Sequence, residues 1–254
     1  MKSTRILSLL LCLALLAAAV FTLGACNLDD LEITGEGKYE FTADGKQDSV
    51  DLLISFFDGT VQNVEEGEVA EEVNFVVTMK KDGAVYATET VDGEKECIRM
   101  TNGYESDTYS LFKRGEEYIV AWETGETKLY STKKDAYDAS RFSFLNALRA
   151  MNELVETEGA TFQCVSVMED SDYVTKDVQE THSTAELDFD YNSEKDVVHI
   201  HATAENGLVQ NCTITRTLNG VKHITELTFV YGNASVTVPD ITDWQPIDAG
   251  VDIE

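Results

Sequence analysis

The chain has 254 residues, with 47 acidic against 19 basic side chains and a formal net charge of −28. That balance repels phosphate backbones and anionic headgroups, which argues against nucleic acid as a partner and against a domain lying on anionic lipid. None of the five cysteines forms a C-x-x-C pair, leaving structural zinc and thioredoxin-like chemistry without support.

Lys2 and Arg5 precede an apolar run from Ile6 to Leu23, and small residues follow. A basic start, an apolar core and a small-residue seam are the marks of an export signal. The run is nearly long enough to span a bilayer, so the seam decides between a cleaved leader and an uncleaved anchor. Leu23-Gly24-Ala25-Cys26 resembles the lipobox of bacterial lipoproteins, in which the cysteine thiol accepts diacylglycerol. The resemblance implies a signal peptide over residues 1–25 and lipidation at Cys26, followed by a tether to residue 46. Acyl chains hold through about 0.8 kcal/mol per buried methylene, so two hold far better than one. Cys12, inside the run, keeps an incidental cysteine in an uncleaved anchor as the alternative. Either way the protein faces outside the cytoplasm, at the cell surface or in the periplasm. Without Lys2 and Arg5 the mature part has 17 basic against 47 acidic side chains, a net of −30.

Residues 27–46 are polar and acidic, with a first strand expected at Lys38 to Ala43. "DSVDLLISFFDG" fits a short helix or a buried strand, and "VQNVEEGEVAEE" reads as a charged connection. From Val73 to Ser131, β-rich runs are punctuated by Asp82-Gly83, Asp92-Gly93, Asn102-Gly103, "KRGE" and "TGE", the spacing of an antiparallel meander. The period then changes. Phe142, Leu145, Leu148, Met151 and Val155 form one apolar helical stripe, with Asp138 or Ser140 as its cap and Gly159 at its end. A second β block runs from "TFQCVSVM" to "HITELTFVY", finishing in a strand at "ASVTVPD". The tail over 240–254 lacks periodicity, with Trp244 as its anchor to the body. Cys97, Cys164 and Cys212 each lie in an apolar stretch and are expected as buried thiols, one disulfide plus one thiol being the alternative.

Candidate chemistry is sparse. His199 and His201 project from one face of a strand and could chelate zinc or copper if His182, His223 or a carboxylate joined them. Two ligands without a third make a poor site, and a pair of surface histidines explains the pattern as well. Asp188, Asp190, Asn192 and Glu194 mimic the start of a calcium loop, but Ser193 replaces the turn glycine and His199 the closing glutamate. The alternation with Leu187, Phe189 and Tyr191 favours a strand there. No nucleophile elbow, Walker A or dinucleotide fingerprint occurs, so no catalytic residue, cofactor or metal is assigned.

The lipobox, two meanders, one amphipathic helix and the close at Tyr231-Gly232 and Val236-Thr237-Val238-Pro239 resemble the LolA/LolB lipoprotein-carrier and LppX lipid-carrier families. The resemblance covers most of residues 47–239, taken as a single domain. It implies a mainly β (α+β) fold: a strongly curved, open antiparallel sheet, or half-barrel, with the amphipathic helix on its concave face. It also implies a cavity lined by Phe142, Leu145, Leu148, Met151 and Val155 that holds a lipid or other hydrophobic small molecule. A non-enzymatic carrier tethered through Cys26 is therefore expected. An envelope protein-interaction or sensor module with a filled core is the alternative.

Overall fold

The computed structural model describes residues 32–43, 45–65, 74–93, 97–102, 107–174, 179–232 and 234–247. Cys26, the residues expected as a signal peptide and the glycine of the Asn102-Gly103 turn lie outside them. The strands are β1 (Glu32–Thr42), β2 (Phe75–Lys81), β3 (Ala84–Asp92), β4 (Cys97–Asn102), β5 (Thr108–Arg114), β6 (Glu117–Thr124) and β7 (Thr127–Ser131). They continue as β8 (Thr161–Val174), β9 (Gln179–Asn192), β10 (Asp196–Glu205), β11 (Leu208–Leu218), β12 (Val221–Tyr231) and β13 (Gln245–Pro246). All join one curved, open sheet of 13 strands in the order β1-β8-β9-β10-β11-β12-β2-β3-β4-β5-β6-β7-β13. Every pairing is antiparallel except the short β13–β7 contact.

The hairpin chemistry is visible in the backbone. Asp82-Gly83, Asn206-Gly207 and Asn219-Gly220 each place two successive residues at positive φ, the left-handed pair that a two-residue turn between twisted strands requires. β12 and β2 pair from Tyr231↔Phe75 to Thr225↔Lys81, welding the two meanders into one sheet.

Helix α1 (Lys46–Glu65) is the longest helix among the described residues, formed by the stretch that fitted either a helix or a strand and by the first residues of the expected charged connection. Its 20 residues extend about 30 Å, matching the roughly 29 Å from β1 across to β2 at about 4.8 Å per strand. Val50, Leu53 and Phe57 are buried on the sheet side. Thr60 completes this stripe. Its Oγ1 accepts the Val209 N–H at 3.0 Å, and Tyr231, 3.2 Å from Thr60, donates to the Val209 carbonyl at 2.6 Å.

The expected single helix over residues 142–155 is instead a broken segment. α2 (Lys134–Ser140) ends at Ser140, a 3-10 turn spans Ser143–Leu145, and α3 (Asn146–Arg149) and α4 (Met151–Leu154) follow. Asp138 and Ser140 therefore lie inside a helix rather than capping one, and Lys133 takes the N-cap position of α2. The break is at Phe142, whose φ of 52° is left-handed and uncommon for a bulky residue. That kink sends Phe142 and Phe144 both inward, where Phe144 meets Phe75, Phe142 and Phe229 edge-on.

Two further expectations are corrected. Within the span expected as a tether, residues 26–46, β1 begins at Glu32 and pairs with β8. "ASVTVPD" forms no strand. It lies over the other face of the sheet, with the Val236 N–H donating to buried Asp92 at 2.9 Å. There Val236 and Ile241 pack with Cys97, Phe112, Ile119 and Ala121, and Trp244 and Tyr130 flank them. Cys97, Cys164 and Cys212 are all buried thiols, as expected. No helix among the described residues is long and apolar enough to cross a membrane.

Candidate functional site

The helix-covered face carries a carboxyl group in an apolar place. In β3 the inward positions are Ala87, Glu89 and Val91, and Glu89 is 1% exposed. Ser143 donates its hydroxyl to Glu89 Oε2 at 2.6 Å and lies 3.1 Å from Met100 Sδ. Burial pushes the Glu89 carboxyl up to about 7, opposed by the Ser143 hydroxyl, the Phe144 and Ser143 backbone N–H groups, and the Arg149 charge. Glu89 thus receives the start of the 3-10 turn and fastens the kinked segment to the sheet. Its second oxygen, Oε1, is buried and has no hydrogen-bond partner among the described residues.

Sheet register extends the site. Val77, Glu89, Met100, Tyr109, Trp122 and Leu129 stand directly opposite one another across β2 to β7. Met100, Tyr109, Trp122 and Leu129 are half-buried. The Tyr109 and Trp122 rings stack at 6.0 Å with 3° between planes. Among the described residues the buried Trp122 Nε1–H has no partner. An apolar, aromatic wall with two such polar atoms, Glu89 Oε1 and Trp122 Nε1–H, can hold an apolar body and hydrogen-bond its polar groups. Neither Glu89 nor Trp122 was anticipated from the sequence. The detectable signal was an acid at an inward position of an alternating strand.

Of the residues expected to line a cavity, Phe142, Leu145, Leu148 and Met151 are 0%, 8%, 1% and 3% exposed. They belong to the main apolar cluster, with Val155 packed on its margin. His199 and His201 point to the opposite face, where they pair across the strands with Asp190 and Asp188, each at 3.0 Å. His182 meets Glu205 at 2.7 Å and His223 meets Asp82 at 3.0 Å, so each histidine has its own carboxylate. No group of three ligands suited to a metal occurs among the described residues. Asp188 and Asp190 stand on a strand rather than in a loop.

A scan against protein-family models finds no match, and a search of curated proteins likewise finds none.

Proposed function

We propose that the protein is a membrane-anchored, extracytoplasmic lipoprotein, non-enzymatic, that binds or carries a lipid or other hydrophobic ligand. Cys26 is its point of attachment, and the ligand contacts the concave, helix-bearing side of the half-barrel, as the sequence's resemblance to the LolA/LolB and LppX families implies. What carries this proposal is the wall of Met100, Tyr109 and Trp122 beside Glu89, with buried Glu89 Oε1 and Trp122 Nε1–H both unpartnered. Glu89 and Trp122 stand three strands, about 14 Å, apart, so a ligand with an apolar body and polar groups at two points along it would reach both. The packing of Phe142, Leu145, Leu148 and Met151 moves the proposed contact toward β4–β6, away from the stripe itself.

Lipid mass spectrometry on non-covalent extracts of the full chain tests this, compared with a Trp122→Ala, Met100→Ala variant purified in the same detergent. A hydrophobic species near one per chain, depleted in the variant, is expected. Equal extracts from both proteins would refute the site. The dense packing around Phe144 favours a second reading, an envelope protein-interaction or sensor module with a filled core. That reading gains if the extracts match and a protein partner is retained.

A further inference from the structure

On the opposite face of the sheet, the segment over residues 234–247 roofs a cleft of about 170 Å³ above β4, β5 and β6. Arg99, Ser110, Thr108 and Glu123 form its floor, and Pro239 and Trp244 stand at its side. Arg99 lies directly across from Ser110, and Thr108 across from Glu123. The cleft is therefore built from paired strands and has a fixed geometry.

Arg114, Arg141, Arg149 and Arg216 all have partners, whereas Arg99 has none among the described residues. In a chain with 47 acidic side chains, an unpaired guanidinium is unexpected. Ser110 is 5% exposed, and no partner for its hydroxyl exists among the described residues. That hydroxyl opens onto the cleft, where a ligand can reach it. Glu123 is held by Lys128 at 3.0 Å, and Lys128 also lies 5.6 Å from the Trp244 ring centre. One carboxylate oxygen of Glu123 remains for a further donor.

We infer that this cleft binds a small zwitterion of the α-amino-acid class. Arg99 offers a planar fork to the carboxylate, which it can hold through two parallel N–H···O bonds. Glu123, two strands away and about 10 Å along the sheet, takes the ammonium. Ser110 and Thr108 lie between them as hydroxyl partners. The side chain of the ligand rests on Pro239 and Trp244. The volume fits this class, being well below the roughly 300–1,000 Å³ of sites for drug-sized ligands. A zwitterion also suits the chain's charge, since a simple anion would be repelled by the surrounding acids.

Calorimetric titration of the full chain with the common α-amino acids at millimolar concentration tests the inference. Phenylacetate and phenethylamine serve as analogues of phenylalanine that lack one charge each. At least one amino acid is expected to bind saturably, and Arg99→Gln and Ser110→Ala are each expected to weaken it roughly tenfold or more. Arg99 is exposed, so its replacement leaves the core intact. Absence of binding across the panel, binding indifferent to Arg99→Gln, or equal binding of either single-charge analogue to that of phenylalanine would overturn it.

Discussion

Glu89 occupies a place that the alternation of β3 reserves for an apolar side chain, between Ala87 and Val91. Its carboxyl is pushed up to about 7 against a reference of 4.5, so the folded chain holds the proton more tightly than the unfolded one. The resulting stability is fully present below the unfolded value and is lost as pH rises through 7. Urea unfolding of the wild type should therefore weaken by up to about 3 kcal/mol between pH 5 and pH 8, relative to Glu89→Gln. Parallel pH profiles for the two proteins would contradict this. Burial likewise pushes the Cys164 and Cys212 thiols up to about 12, which leaves little thiolate at neutral pH. Iodoacetamide should accordingly label neither in the native chain, and both in urea, as counted by intact mass.

At the scale of elements, α1 and the kinked segment hold the sheet through different contacts. α1 uses the Thr60–Val209–Tyr231 network, so Thr60→Val should cost about 1–3 kcal/mol by leaving a buried Val209 N–H unpaired. The segment after Phe142 relies on Phe144 among Phe75, Phe142 and Phe229, and Phe144→Ala should cost about 3–5 kcal/mol. Chemical denaturation measures both. These two elements also mark where the sequence was hard to read. In α1 the buried stripe Val50, Leu53, Phe57 has helical spacing, but half-buried Leu52, Ile54 and Phe56 between them blur the period. The stripe over 142–155 predicted burial well and continuity badly, because the left-handed turn at Phe142 depends on Glu89, a residue more than fifty positions earlier. Strands were legible where Asp-Gly and Asn-Gly turns set them. "ASVTVPD" has strand composition, but its Val236 N–H bonds to the Asp92 side chain rather than to a ladder. The proposed site was illegible for the same reason, since Glu89, Met100, Tyr109 and Trp122 meet only through strand register.

For the whole molecule, one open sheet supports two differently covered faces. α1 and the kinked segment lie on one, and the C-terminal segment lies on part of the other. The remaining outer surface carries the cross-strand pairs His199–Asp190 and His201–Asp188, so its polarity is balanced locally without a metal-binding group among the described residues. A net charge of −28 keeps such a domain away from anionic headgroups, leaving attachment to the acyl chains proposed at Cys26. Cys26→Ala should move the protein out of the membrane fraction, as followed by fractionation and immunoblotting. Retention at the wild-type level would instead indicate an uncleaved apolar anchor.

The most direct test of a hydrophobic ligand on the inner face uses Trp122 itself. The chain has two tryptophans, so Trp244→Phe leaves Trp122 as the single indole reporter. Titration of that full-length variant with a brominated monoacylglycerol should quench its emission saturably, and Glu89→Gln with Met100→Ala should weaken the effect. Emission that is unquenched, or that falls only in proportion to the quencher added, would contradict a ligand site beside Glu89.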